Sequence, residues 1–151
     1  VFSIDTVDYR LDAAANFGAI SLKLNSDTVQ HIKDKTEGRG ADAVIEAVGN
    51  ESAQQLAFDL VRPGGIISTI GVHTTDGFVF KPADVYNKNI TYTSGRCPAR
   101  SLMPEILPMI ANHKKSLASI FTHKMKLSAG VKAYEIFDKR QENCIKILIE
   151  P

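Results

Sequence analysis

Short apolar strands alternate with predicted helices along the first two thirds of the chain. The first strand covers residues 1–4 and ends at Asp5, and a later one includes residues 43–45. Between Asn50 and Leu60, apolar residues recur at the i, i+3, i+4 and i+7 spacing of a helix that buries one face. Strands that are apolar on both faces and separated by helices are typical of a parallel sheet covered by helices. The pattern predicts an α/β fold with a doubly wound parallel sheet.

The remaining elements are predicted from the same periodicities. Asp27 precedes one helix and Asn50 another, and each is expected to cap the helix that follows it. Pro63 and the glycines after it predict a turn over residues 62–65. The pattern changes near residue 96, which is the predicted boundary. We expect further strands over residues 21–24, 66–72, 89–95 and 144–149, and helices over residues 28–37, 102–112 and 128–140.

Composition excludes several classes of protein. The 151 residues include 18 Lys and Arg and 17 Asp and Glu, for a formal net charge of +1. A nucleic-acid surface needs concentrated positive charge, so we expect no nucleic-acid partner. No apolar run reaches the roughly 20 residues of a membrane helix, so we expect no membrane partner. The two cysteines form no C-x-x-C pair. These features predict a soluble cytoplasmic protein of one-domain length.

Asp5 is the first residue with a candidate chemical role. An acidic side chain at the tip of a parallel strand can accept hydrogen bonds from both hydroxyls of a nucleotide ribose. Arg10 follows five residues later, where its guanidinium could reach the ribose or the adenine. The alternative interpretation is that Asp5 is an acid at a helix N-terminus or in a solvated loop, and the sequence leaves both open.

Glycines mark three further strand ends. Gly49 lies between Val48 and Asn50, which could cap the next helix or contact a ligand. Each of these ends could equally be a tight turn between a strand and the next element. Because the carboxyl ends of parallel strands meet at one edge of a sheet, where ligands bind, the set as a whole favours a nucleotide site. The other two glycine-bearing ends are Ile70-Gly71-Val72 and Ser94-Gly95-Arg96.

Other catalytic motifs are absent from the sequence. There is no G-x-S-x-G nucleophile elbow, no G-x-x-x-x-G-K-[ST] phosphate loop and no G-x-G-x-x-G dinucleotide motif. The histidines have no zinc-site spacing, so we assign neither metal ligands nor catalytic residues within the chain. These histidines are His31, His73, His113 and His123.

Taken in order, several segments resemble the medium-chain, zinc-dependent alcohol dehydrogenases. The resemblance extends over essentially the whole chain, and the segment from Thr36 to Gly49 (TEGRGADAVIEAVG) is its most specific part. The other matching segments are Asp5 with Arg10 and Leu11, Asn16-Phe17-Gly18-Ala19, Leu60 to Gly65 (LVRPGG), Thr122-His123 and Cys144-Ile145-Lys146.

This resemblance implies a Rossmann-type coenzyme domain combined with a catalytic domain that holds zinc. The zinc would polarise an alcohol while NAD accepts the hydride, giving an aldehyde or ketone. Asp5 would bind the adenosine ribose with Arg10 beside it, and Val48 would neighbour the adenosine half. Members form dimers or tetramers, which makes residues 89–95 a candidate interface. The resemblance places the nicotinamide carboxamide against Val72 and Ser94-Gly95-Arg96, and the pyrophosphate near Lys146.

The family's zinc ligands, its glycine motif and its first strand all precede the part that is resembled here. We therefore expect the chain to be the C-terminal portion of a longer enzyme, with an incomplete Rossmann-type sheet. Residues 1–95 would form most of the NAD-binding domain, and residues 96–151 a helix and strand segment that returns towards the catalytic domain. The chain alone is expected to be inactive and to bind NAD weakly at best. Asp5 predicts NAD rather than NADP, whose additional phosphate it would repel.

Two alternatives remain open from the sequence. Methyltransferases that use S-adenosylmethionine also place an acid at the tip of their second strand, as Asp5 would be, and carry a Pro-Gly-Gly turn like the one that follows Arg62. A dehydrogenase-derived module without catalytic activity would retain the sheet and lose the chemistry.

Overall fold

Every paired strand in this protein is parallel to its neighbour. The computed structural model describes residues 1–151, which form two compact units: Val1–Leu24 with Ala99–Pro151, and Asn25–Pro98. In chain order the elements are β1 (Phe2–Asp5), α1 (Asp8–Asn16), β2 (Ile20–Lys23), α2 (Thr28–Asp34), β3 (Ala41–Glu46), α3 (Glu51–Leu60), β4 (Val61–Thr69), α4 (Pro82–Lys88), β5 (Thr91–Ser94), α5 (Ala99–Asn112), α6 (Lys114–Ala118), β6 (Phe121–Lys126), a 3-10 turn (Leu127–Ala129), α7 (Gly130–Asp138) and β7 (Lys146–Glu150).

The first unit contains two separate two-stranded sheets. In one of them β1 pairs with β2, and Asp5 lies opposite Lys23 at the carboxyl end. In the other β6 pairs with β7. This unit combines the two ends of the chain, a grouping that the boundary predicted near residue 96 did not anticipate. The assignment of residues 1–95 and 96–151 to a coenzyme domain and a returning segment stays a prediction.

The second unit is built on a three-stranded sheet in the order β3-β4-β5. Its register pairs Glu46 with Thr69 and Thr69 with Ser94, so that these three residues form one row at the carboxyl edge. Side chains of residues opposite each other in a sheet point to the same face. The parallel pairing confirms the predicted α/β class with parallel sheets.

Residues 62–65 form an irregular part of a strand, whereas the sequence predicted a turn that separates elements. The register shifts between the pairs Ala41–Val61 and Ala43–Ile66, so β4 carries extra residues at this point. Gly64 there has φ +69°, which an L side chain rarely adopts. The Pro-Gly-Gly sequence does make the backbone irregular here, but it produces a bulge within β4 and not a turn between two elements.

The core of the second unit lies between α3 and its sheet. Ile67 is 0% exposed, and it packs with Ala57 and Val61. The partly buried residues packed against this cluster are Val44, Phe58, Ile90 and Tyr92. Ile67 occupies the central strand and therefore has neighbours on both sides.

The predicted helix caps have different outcomes. The Asn50 side chain accepts a hydrogen bond from the Ala53 N–H at 2.8 Å, which confirms it as the N-cap of α3. Asp27 precedes α2 as predicted, but its side chain makes no capping hydrogen bond. Its own N–H instead donates to Asn25 Oδ1, in a turn where Asn25 and Thr28 satisfy local backbone donors.

Three elements were not predicted: α4, α6 and β6. The sequence nevertheless contains a signal for the start of α4, because Pro82 is its first residue. In the structure the Lys81 N–H also donates to Asp84 Oδ2 at 2.8 Å, which stabilises this end of the helix. In β6, His123 and Met125 are partly buried while their neighbours are exposed, which is the alternation of a half-buried strand. No helix in the structure is both long and apolar enough to cross a membrane.

Replacing Ile67 with Ala tests the position of the core. We expect the free energy of unfolding to fall by about 2–5 kcal/mol, because buried methylenes are lost and a cavity remains. Ile45→Ala, in the neighbouring strand at a residue 70% exposed, is the matched control and should change it by about 0.5 kcal/mol or less. Urea denaturation measures both variants, and equal losses would contradict this core assignment.

Candidate functional site

Asp5 closes β1, and two residues separate it from the first residue of α1. Its Oδ1 accepts the Val7 N–H at 2.9 Å. Its Oδ2 lies 3.8 Å from Arg10 Nη1, and both side chains are about one third exposed. The carboxylate is thus fixed through one oxygen, while the other retains the capacity to accept a hydrogen bond from a ligand.

Lys146 begins β7 in the same unit. Its Nζ lies 5.8 Å from the centre of the Phe137 ring. Two hydrogen bonds of Thr122 Oγ1 fix the backbone here: it accepts the Ile145 N–H at 3.0 Å and donates to the Lys146 carbonyl at 3.3 Å. The Tyr9 hydroxyl of α1 donates to the Cys144 carbonyl at 3.3 Å. The helix that follows Asp5 is therefore tied to the turn that precedes Lys146.

Glu46, the last residue of β3, organises the carboxyl edge of the three-stranded sheet. It is only 4% exposed. Oε1 accepts the N–H groups of Val48 at 2.6 Å and Gly49 at 2.8 Å, and Oε2 lies 2.8 Å from His73 Nε2. Burial disfavours the charged carboxylate, but the Gly49 N–H, the His73 side chain and the Val48 N–H together hold the pKa of Glu46 below its usual value.

The backbone of Glu46 joins the same two loops. Its carbonyl accepts the N–H groups of Ile70 at 2.8 Å and Gly71 at 3.1 Å. A Cβ on Gly71 would lie 2.3 Å from Gly49 N, and a Cβ on Gly49 would lie 2.6 Å from the Val72 carbonyl oxygen. Both glycines are required because the two loops touch backbone to backbone.

Exposed apolar side chains stand on these closely packed loops. Val48 is 70% exposed, Ile70 63% and Val72 82%. Ser94 ends β5, and Gly95 and Arg96 follow it in an exposed, irregular segment. The carboxyl edge of this sheet therefore presents exposed apolar side chains on a backbone that its own hydrogen bonds hold in place.

Two buried polar atoms near this edge lack a hydrogen-bond partner: Thr69 Oγ1 and His73 Nδ1. Thr69 is 2% exposed and shares its row with Glu46 and Ser94. Buried polar groups are seldom left unsatisfied, and exceptions often mark a site for a ligand or an ordered water. The two atoms are therefore candidate positions for an ordered water or a polar ligand at this edge.

The side chains of the chain do not form a metal centre. No group of three or more His, Cys, Asp or Glu residues is arranged so that it could hold a metal ion. The donor set required for zinc is therefore not present among these residues, and no chemical step is assigned to zinc here.

The structure distributes the predicted site residues between the units. The first unit contains Asp5, Arg10 and Lys146, and the second contains Val48, Asn50, Gly71, Val72, Ser94, Gly95 and Arg96. Asn50 uses its side-chain oxygen as a helix cap, and its amide nitrogen remains available to donate to a ligand. Sequence reasoning missed Glu46 and His73. An acid at the end of an otherwise apolar run is itself a signal that could have identified Glu46.

A family model described as zinc-binding dehydrogenase matches residues 1–112. The zinc-type alcohol dehydrogenase B of Aspergillus flavus is 37% identical over 141 residues, covering 91% of this chain and 33% of that protein. Among solved structures, an alcohol dehydrogenase from Thermus sp. has a TM-score of 0.86 at 29% identity, covering 99% of this chain and 43% of its own. Zinc dependent alcohol dehydrogenase 2 from Streptococcus pneumonia has a TM-score of 0.85 at 33% identity, covering 99% and 44%.

These similarities show the class of fold, which is the Rossmann-type coenzyme-binding α/β fold with parallel sheets. The chain belongs to the zinc-binding dehydrogenase family. It spans about a third of the Aspergillus relative and somewhat under half of the two solved chains. The expected family is confirmed, and a methyltransferase is not favoured.

Replacing Gly71 with Ala tests the contact between the two loops. The new methyl group would collide with the Gly49 backbone, so we expect the free energy of unfolding to fall by about 1–3 kcal/mol or more. Gly77→Ala is the control, because nothing lies within 4 Å of its Cβ position. Thermal and urea denaturation compare the two, and a Gly71→Ala protein as stable as Gly77→Ala would refute the packing described.

The ionised state of Glu46 predicts a pH dependence of stability. Its pKa in the folded protein lies below the ordinary value of about 4.5. The stabilisation is therefore complete above that value and is lost as the pH falls through the folded-state pKa. We expect the stability difference between the wild type and Glu46→Gln to be largest above pH ~5 and to shrink at lower pH. Urea denaturation at several pH values measures it, and a difference that stayed constant down to about pH 3 would contradict the assignment.

Proposed function

We propose that this chain is the coenzyme-binding part of a zinc-dependent alcohol dehydrogenase. The full-length protein would transfer a hydride from an alcohol to NAD and release an aldehyde or ketone. The observation that carries this proposal is the Asp5 carboxylate at the carboxyl end of a parallel strand, fixed through Oδ1 and open at Oδ2. Family membership supports the same conclusion.

Residues of the first unit would bind the adenosine ribose and the pyrophosphate. Asp5 accepts hydrogen bonds from the ribose hydroxyls, and Arg10 lies beside them. Lys146 supplies a positive charge to the pyrophosphate. The Tyr9 and Thr122 hydrogen bonds, which fix the turn before β7, support Lys146 in this role because they limit the motion of its backbone.

Residues of the second unit would contact the rest of the coenzyme. Val48 and the Asn50 amide nitrogen neighbour the adenosine half. The nicotinamide carboxamide is held by Gly71, Val72 and the Ser94-Gly95-Arg96 backbone. The close approach of Gly49 to Gly71 supports this role, since the backbone there is already fixed before a ligand arrives.

NAD, when bound, supplies the acceptor for the hydride. The residues of this chain bind and orient it, and none of them is given a proton-transfer role. The names of the family and of its relatives support zinc as a cofactor of the full-length protein, with ligands outside these 151 residues. We further propose a homodimer or homotetramer that uses the exposed edge strand β5, and a cytoplasmic location, which suits the free thiols of Cys97 and Cys144.

The charge of Asp5 should select the coenzyme. Two like charges about 4 Å apart repel by roughly 4 kcal/mol at an effective dielectric of 20, and partial exposure of Asp5 reduces this. We expect the full-length protein to bind NAD at least tenfold more tightly than NADP. Asp5→Ser should bring the two dissociation constants within about threefold of each other.

Coenzyme titration, followed by calorimetry or NADH and NADPH fluorescence, measures this ratio. Asp8→Ser is the matched control, because Asp8 is exposed and pairs with Lys23 at 2.8 Å; its ratio should equal that of the wild type. Equal affinities in the wild type, or tighter binding of NADP, would refute the role of Asp5.

A further inference from the structure

The Glu46–His73 pair is a buried contact that none of the roles above explains. Glu46 is 4% exposed, and the His73 side chain is 16% exposed. Neighbouring positions in β3 carry Ala, Val and Ile, so a strand of this kind does not need an acid for stability. A buried charged pair often contributes no more stability than apolar residues of similar size would. The presence of the Glu46–His73 pair therefore indicates that it holds parts of the backbone in a specific arrangement.

That arrangement is the relative position of two loops. Through Oε1, Glu46 holds the N–H groups of Val48 and Gly49 after β3, and through Oε2 it holds His73 after β4. His73 directly follows Val72, whose side chain is 82% exposed. Val72 N and its carbonyl carbon lie within 3 Å of the Cβ position of Gly49. A shift of His73 thus moves the Val72 backbone against Gly49.

We propose that Glu46 and His73 are positioning residues for the nicotinamide end of the coenzyme. They act through the Gly71–Val72 backbone and do not contact the reacting atoms. This inference rests on the proposed function, in which that backbone holds the carboxamide. It implies that loss of the pair weakens binding of the nicotinamide part and leaves binding of the adenosine part intact.

The test compares NADH with ADP-ribose, which lacks the nicotinamide ring, on the full-length protein. His73→Leu removes the donor to Glu46 and should weaken NADH binding by tenfold or more, while ADP-ribose binding stays within twofold. His73→Gln can place an N–H near the position of Nε2 and should restore NADH binding to within about threefold of the wild type. His113→Leu, at an exposed histidine, is the control and should change neither affinity.

His73→Phe removes the hydrogen bond to Glu46 and keeps an aromatic ring at this position, so it provides a second variant if His73→Leu does not fold. It should show the same selective loss of NADH binding. Equal losses for NADH and ADP-ribose, or unchanged NADH binding in both variants, would overturn the positioning role. A wild-type protein that binds neither ligand would refute the proposed function, and with it this inference, before any variant is compared.

Discussion

A buried carboxylate at the end of β3 fixes the carboxyl edge of the three-stranded sheet. Removing an ion from water costs several kcal/mol, so such a group persists only where hydrogen bonds offset the loss. Glu46 has two backbone donors and one histidine within 2.8 Å. These bonds support the close contact of Gly49 with Gly71, together with the Glu46 carbonyl, which accepts the Ile70 and Gly71 N–H groups.

The strand ends of the two units present different kinds of side chain. The first unit presents charged groups, Asp5 and Lys146, on backbone that is fixed by hydrogen bonds from Val7 and Thr122. The second presents exposed apolar side chains, Val48 and Val72, on loops that the hydrogen bonds of Glu46 hold in place. Because this backbone is already ordered, the protein loses less conformational entropy when a ligand binds.

Much of the fold could be predicted because its signals are local. The apolar runs of β1 and β3 and the Asn50 cap depend on neighbouring residues, and the structure has them as expected. The role of Glu46 was missed because its partner His73 is 27 residues away, and sequence spacing does not show that β3 and β4 pair in this register. Asp27 does not cap α2 because its backbone is already helical, with φ −96° and ψ 0°, whereas an N-cap residue usually has an extended backbone. The position of Asp5 at the carboxyl end of β1 could be predicted because it depends only on where the apolar run ends, and its role in binding a ribose stays a prediction.

Hydrogen–deuterium exchange of the full-length protein, with and without NAD, tests the central claim that this chain binds the coenzyme through its strand ends. If the strand ends bind NAD, exchange becomes slower in residues 5–10, 48–50, 71–73 and 94–96 when NAD is present, and S-adenosylmethionine causes no such change. Protection that avoided these segments, or that S-adenosylmethionine produced and NAD did not, would contradict the account.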